Sequence, residues 1–404
     1  MKKILIGAVA VLLSFAFTLS TFAYTQVNVE NEDYYKGLEN EGITLNVYNW
    51  GLYISDEKDM LEVNKAFEKL TGIKINYTTY DTNESMYAKI KSGGGDYDVV
   101  FPSDYMVSKM ASEGLLAELD FANIPNYKMI GDEYKNLAYD PQNKYSVAYT
   151  WGLVGVSYNK TMVDKEDLTG DWDLLWNEKY KGQILMFNNS RDAFAIAALM
   201  EGLPINPETT EQVSILAEKL KEQKPLVQSY VMDEIFDKME GGEAAIAPYY
   251  AGDGVLMHSE NSDIEMYIPK SGTNFYVDTV CVLNGSQNKK AAEMYINFLC
   301  ETEVSVANCE FISYSTPQTV AQKLLPEEMK KSELLYPDKE VMKRATSFVM
   351  LSDEVNNAMD NAWSEIRSYE ENGSYFIPVL IGVIGLVLVI IFLLKKRKKM
   401  KQDY

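Results

Sequence analysis

Leu45-Asn46-Val47-Tyr48-Asn49-Trp50, running on into Gly51-Leu52-Tyr53, is the stretch from which the fold can be read. Its apolar residues alternate, as in a strand with one buried face. Met60, Val63, Phe67 and Leu70 then recur at helical spacing until Thr71-Gly72 stops them. Ile73 to Tyr80 is rich in β-formers. Asn83 is expected to cap a helix that runs through Lys91 and ends at Gly93-Gly94-Gly95. Asp98-Val99-Val100-Phe101 reads as a short buried strand broken by Pro102-Ser103, and a further helix is expected from near Asp104. This alternation predicts an α/β domain with a parallel sheet and helices on both faces. Ligands of such sheets lie at the carboxyl ends of the strands, where Trp50, Ser103 and Tyr105 fall.

A second α/β region is expected from about Gly152 to Tyr276. Gln183 to Phe187 reads as a strand, followed by Asn188-Asn189-Ser190-Arg191-Asp192 and an Ala-rich helix. Val213, Leu216, Ala217 and Leu220 mark another helix. Ala244 to Pro248 and Met266 to Ile268 read as small strands. Thr279 to Leu283 is apolar, and Ala291 to Leu299 is helical in pattern. No internal repeat is evident.

Two strings set aromatic rings a few residues from a carboxylate: Tyr249-Tyr250-Ala251-Gly252-Asp253 and Phe275-Tyr276-Val277-Asp278. An organic ammonium suits that combination. Ring faces attract a cation and cover its methylenes, while a carboxylate accepts its N–H donors. In an extended strand Tyr276 and Asp278 project to one side. For any one string alone, the competing reading is plain core packing and helix capping.

The ends of the chain carry further signals. Met1-Lys2-Lys3, the apolar Ile4 to Leu19 and Thr21-Phe22-Ala23 form the pattern of a secretory signal over 1–23, with an uncleaved anchor as the alternative. No Cys follows the candidate cut, which argues against a lipoprotein anchor. Residues 375–394 are uncharged and rich in Ile, Val and Leu, long enough to cross a bilayer as a helix. The basic run Lys395 to Lys399 opens a tail, 395–404, that the positive-inside rule puts in the cytoplasm. Glu370 to Gly373 reads as a stalk. The intervening region is thus expected outside the cytoplasmic membrane, anchored to its outer face.

Of 38 basic and 59 acidic residues, two lysines fall in the N-terminal segment and six basic and one acidic residue follow Leu394. That leaves 30 against 58, a net −28, between them. Such a field disfavours nucleic acid and draws cationic solutes. Cys281, Cys300 and Cys309 do not form a metal-binding spacing. Cys281 reads as a buried thiol. Cys300 and Cys309 are free to bridge in an oxidising compartment, a point the sequence leaves open.

Taken in order, a series of markers resembles the bacterial spermidine/putrescine-binding proteins of ATP-binding-cassette importers. They are Tyr48-Asn49-Trp50, Thr71-Gly72-Ile73-Lys74-Ile75, Tyr97-Asp98-Val99-Val100-Phe101-Pro102-Ser103, Trp151-Gly152, Phe275-Tyr276-Val277-Asp278, Tyr314-Ser315-Thr316-Pro317 and Tyr336-Pro337-Asp338. The resemblance covers nearly all of 43–367. It implies a two-lobed periplasmic-binding-protein fold of type II with a hinge and a central cleft. One lobe would comprise 42–150 and 278–320, the other 151–277 and 321–368. Partners would be a polyamine, permease subunits and their ATPase, with the chain a monomer and no cofactor or metal.

The resemblance also assigns roles. Trp50 and Tyr53 match aromatics that cover the alkyl chain, and Ser103 and Tyr105 match a polar pair after the third strand. Tyr250 stands where the family usually has Trp, and Tyr276 where it has Trp or Phe. Asp278 matches the carboxylate that takes an amine near the middle, and Tyr314 the aromatic of the returning segment. Asp253 is the candidate for a terminal amine and Asp192 for the opposite end. Asn189 stands where spermidine-type members have Asp, Gly51-Leu52 replaces a polar pair, and the family's Gln is not evident near Phe348.

An enzyme is disfavoured. His258 is the single histidine, and no Gly-x-Ser-x-Gly, phosphate loop or His/Cys/Glu cluster is present. His258 follows an apolar run and reads as an ordinary surface or packing residue. Remaining alternatives are a different organic cation, ferric iron at clustered tyrosines, or a membrane-tethered polyamine sensor.

Overall fold

The computed structural model describes residues 25–38, 41–57 and 59–368. The expected signal (1–23), stalk, spanning segment (375–394) and tail (395–404) lie outside them. Among the described residues no helix is long and apolar enough to cross a membrane.

The first unit follows the alternation read from the sequence: β1 (Thr44–Trp50), α1 (Val63–Thr71), β2 (Lys74–Tyr80), α2 (Asn83–Lys91), β3 (Val99–Val100) and α3 (Asp104–Ser112). α1 starts three residues after Met60 and ends where Gly72 takes φ 75°, a left-handed cap open to glycine. It presses Phe67 edge-on to Tyr295 and tilted on Phe298, with centroids 5.1 and 5.3 Å apart. Each such fully buried ring contributes roughly 1.5–3 kcal/mol. α2 is capped by Thr82, not Asn83. The Thr82 hydroxyl accepts from Ser85 N, and Ser85 answers through the Thr82 N–H. Asn83 becomes the first helical residue, and its side chain turns inward to another task.

The second unit contains β4 (Ser146–Asn159), β5 (Ile184–Phe187), α4 (Ser190–Met200), α5 (Thr210–Gln223), β6 (Val227–Val231), β7 (Ile246–Tyr250), α6 (Ala251–Glu260), β8 (Ile264–Tyr267) and β9 (Thr273–Val282). α7 (Lys289–Leu299), α8 (Thr302–Ile312), β10 (Ala345–Thr346) and α9 (Asp353–Ser368) follow. α9 packs on α5 and seats Trp363 against Phe194 and Tyr230.

The described strands form a ten-stranded sheet ordered β2-β1-β3-β9-β4-β7-β5-β6, with β10 beside β9 and β8 beside β4. It is mixed: the parallel pairing expected for the first unit is present among β1, β2 and β3, and the antiparallel pairs enter with β4 and β9. β1 is parallel to β2 and β3, and β5 to β6 and β7. β9 runs antiparallel to β3 and β4, and β4 antiparallel to β7. The physical reason is the pair β4–β9. Each is long and almost wholly buried, so neither shows the half-polar alternation that marks a strand. β3 pairs with one end of this ribbon and β7 with the other. One parallel group therefore sits on each side, giving two domains. Cys281, Cys300 and Cys309 are all buried and free, so the Cys300–Cys309 bridge does not form.

Candidate ligand-binding cleft

Between the domains, strand ends and their following loops deliver aromatic rings and carboxylates to one cleft. Trp50 ends β1. Its indole N–H donates to the Phe101 carbonyl at 2.9 Å, as does the Tyr80 hydroxyl at 2.5 Å. These bonds fix both rings at 4.7 Å centroid separation. Tyr53, Tyr314, Tyr276 and Tyr250 continue the wall, with successive centroids 5.2, 6.3 and 5.2 Å apart. Two glycines allow this packing. A Cβ at Gly152 would stand 2.4 Å from the Tyr276 hydroxyl, and one at Gly252 would stand 2.3 Å from the Tyr314 ring.

Asp278 lies on the middle of the ribbon. Its Oδ2 accepts from Tyr53 and its Oδ1 from Ser103, both at 2.5 Å. Ser103 is held by Asn83, whose Nδ2 donates to Ser103 Oγ at 3.0 Å and whose Oδ1 accepts the Ser103 N–H at 3.1 Å. Since Tyr53 gives its proton to Asp278, the Thr150 hydroxyl, 2.6 Å away, donates to Tyr53. Burial raises the Asp278 carboxyl to about 6, against the pull of the Ser103 and Tyr53 bonds.

Asp253, in the first turn of α6, accepts from Tyr314 at 2.7 Å, and burial lifts it to about 8. Asp192, in the first turn of α4, accepts from Tyr250 at 3.0 Å and from Asn189 Nδ2 at 2.8 Å. Burial lifts it to about 7. Among the described residues none of these three carboxylates has a Lys or Arg within ion-pair distance. Arg191, the adjacent cation, instead covers the rings of Tyr105 and Phe348 at 4.8 and 4.5 Å and donates to Asn206 and the Val349 carbonyl. Buried carboxylates without a counter-charge are costly, and their raised pKa values express that cost. The site is thus poised for a cation supplied from outside. Its free volume is about 70 Å³.

Residues 97–345 match the family described as bacterial extracellular solute-binding protein, and 42–139 match a hypothetical lipoprotein family. The chain belongs to the bacterial extracellular solute-binding proteins. It is 34% identical over 301 residues to the spermidine/putrescine-binding periplasmic protein of Escherichia coli K12, covering 74% of this chain and 85% of that one. A solved chain from Listeria monocytogenes, assigned to spermidine/putrescine ABC transport, superposes with a TM-score of 0.76 at 34% identity, covering 81% and 99%. The spermidine/putrescine ABC transporter substrate-binding protein PotD of Streptococcus pneumoniae gives 0.67 at 33% identity, covering 81% and 99%. The family is one of solute-binding transport proteins. Among the described residues no group of three or more His, Cys, Asp or Glu could hold a metal ion.

Trp50, Tyr53, Ser103, Tyr105, Asn189, Asp192, Tyr250, Asp253, Tyr276, Asp278 and Tyr314 all line the wall of this cleft. Their side chains are differently engaged. Tyr105 donates to Glu84 at 2.7 Å. Asn189 caps α4 through its oxygen, which accepts the Arg191 N–H at 3.0 Å, and spends its amide N–H on Asp192. His258 is exposed and donates from Nδ1 to the Ile264 carbonyl. Sequence reasoning missed Tyr80, Asn83, Asp104, Asp233 and Asn274 as lining residues. Asn274 had a usable signal: it precedes Tyr276 and Asp278 by two and four positions, the period of one strand face.

Proposed function

We propose that this chain is the extracytoplasmic substrate-binding component of an ABC importer, capturing spermidine and/or putrescine in the cleft and delivering them to permease subunits and their ATPase. The observation that carries the reading is the set of three carboxylates, Asp192 and Asp278 buried and Asp253 half-buried, with no ion-pairing Lys or Arg among the described residues, inside a wall of aromatic rings. A flexible diammonium or triammonium supplies what that wall lacks: positive charge at intervals, joined by methylenes that aromatic faces cover. The named relatives bind spermidine and putrescine by their descriptions, which supports the same solute class here.

In this reading Trp50, Tyr53, Tyr250, Tyr276 and Tyr314 enclose the alkyl chain. Asp278 takes an amine near the middle and Asp253 and Asp192 take the ends. Ser103 and Tyr105 act on the ligand through Asp278 and the wall. The lobes, 42–150 with 278–320 and 151–277 with 321–368, close by a hinge, and the closed monomer docks on the permease. The uncharged segment 375–394 followed by the basic tail 395–404 supports membrane anchoring with the tail in the cytoplasm. The test is calorimetric titration of the purified chain with putrescine, spermidine and spermine, and with ferric iron as control. Tight, saturable binding of a polyamine is expected. Silence to all three, or iron binding alone, overturns the assignment.

A further inference from the structure

The cleft wall contains buried polar atoms with no hydrogen-bond partner among the described residues, on Asp104, Asp192, Asn274 and Tyr276. Two of these, Asp192 Oδ1 and Asn274 Oδ1, are acceptors that belong to one end. Val154 of β4 pairs with Tyr250, the residue that holds Asp192, and its backbone is hydrogen-bonded on the other side to Thr273, the neighbour of Asn274. Asn274 in turn pairs with Thr346, two residues before Phe348, whose ring is covered by Arg191, the neighbour of Asp192. Asn274 and Asp192 are 4% and 3% exposed, so bulk water does not satisfy them.

The residue expected at this end, Asn189, already has both its oxygen and its amide in hydrogen bonds. Its oxygen is committed to the Arg191 N–H and its amide N–H to Asp192 Oδ2. The Asn274 side chain makes no hydrogen bond among the described residues. A buried amide in that condition costs stability unless something else provides a donor. A primary ammonium offers three N–H donors, whereas a quaternary nitrogen offers none.

We infer that Asn274 is a specificity-determining residue: its side-chain oxygen and the free Oδ1 of Asp192 together receive a primary ammonium at that end of the cleft. This rests on the polyamine reading above and adds a residue and a preference to it. Asn274, Tyr276 and Asp278 then serve one ligand from one face of β9. The Asn274 amide is uncharged, so Asp192 supplies the one full negative charge of this acceptor pair. Two methyls on the terminal nitrogen leave it one N–H donor for this pair of acceptors.

The test is calorimetry on the purified full chain and its Asn274→Leu and Asn274→Asp variants, with putrescine and with putrescine carrying two methyls on each nitrogen. Asn274→Leu is expected to lower putrescine affinity about tenfold or more. It should also narrow the parent's preference for putrescine over the methylated form. Its ligand-free melting temperature should hold or rise, because an unpaired buried amide is gone; a purely structural Asn274 would lower it. Asn274→Asp keeps an acceptor and adds charge, so it should bind putrescine at least as tightly as the parent. Unchanged affinity in Asn274→Leu, or weakened binding in a folded Asn274→Asp, overturns the inference while leaving polyamine binding intact. A parent that binds no polyamine overturns both.

Discussion

Replacing Asp278 with Asn separates the cost of the empty site from the energy of the filled one. The carboxylate accepts two short bonds, from Tyr53 and Ser103. An amide has one oxygen, so one of these hydroxyls loses its acceptor, at about 1–3 kcal/mol. Against that, burial raises the Asp278 carboxyl from the ordinary value near 4 to about 6. At about 1.4 kcal/mol per pKa unit, holding it ionised at neutral pH costs on the order of 3 kcal/mol, and Asn removes that cost. The sign follows from linkage. A carboxyl whose folded pKa exceeds its unfolded one favours the fold in acid, and the advantage is lost as pH rises from about 4 through about 6. The two terms oppose each other, so the ligand-free variant should melt within a few degrees of the parent at pH 7. Binding has no such compensation. Loss of one partner of a buried ion pair costs about 3–5 kcal/mol, or about two to three and a half orders of magnitude in affinity. Calorimetry with putrescine and spermidine, paired with thermal melts without ligand, reads both quantities. Parent-like affinity would refute the placement of an ammonium at Asp278. Collapse of the ligand-free fold would refute the argument about burial.

Trp50→Ala should weaken polyamine binding about five- to thirtyfold, less than Asp278→Asn, because a ring contributes a cation–π and covering term without a counter-charge; an equal or larger loss in the same titration would contradict that ranking. Polyamine binding should release protons near neutral pH, since Asp192 and Asp253 rise to about 7 and about 8 when empty and must ionise to meet an ammonium. Affinity should therefore climb from pH 6 to pH 8, and the binding enthalpy should vary with the ionisation enthalpy of the buffer; a buffer-independent enthalpy would rule this out. Gly252→Ala should reduce affinity at least tenfold by pushing the Tyr314 ring off Asp253, which a Cβ would approach to 2.3 Å of the ring; unaltered titration curves would show that Tyr314 does not set the end of the cleft.

Much of the cleft was legible because its residues combine rare chemistry with strand periodicity. Tyr276 and Asp278 share a face of β9, Trp50 ends β1, and Ser103 follows β3 at the start of α3, on the side where topology places a ligand. The helices α1 to α4 were legible for a similar reason: each carries a local apolar stripe, a cap or a stop. The Asn83 cap was misread by one residue because Thr82 and Ser85 compete for the same N-terminal bonds, and reciprocal capping favours the hydroxyl pair. The mixed sheet was not legible, since a strand buried on both faces has no alternation to reveal it and local spacing carries no information about strand direction.

By itself the sequence determined the succession of elements, the acidic field and the supply of rings and carboxylates, because these depend on side-chain chemistry and short-range periodicity. Tertiary structure alone decided which polar atoms were left over. Asn189 and Asn274 are chemically identical, yet one is consumed by a helix N-terminus and by Asp192 while the other is buried with its oxygen unpaired. That difference arises from the packing of α4, β9 and β10 around a single end of the cleft. Hydrogen-bond satisfaction depends on distances between residues far apart in the chain, and no local pattern records them.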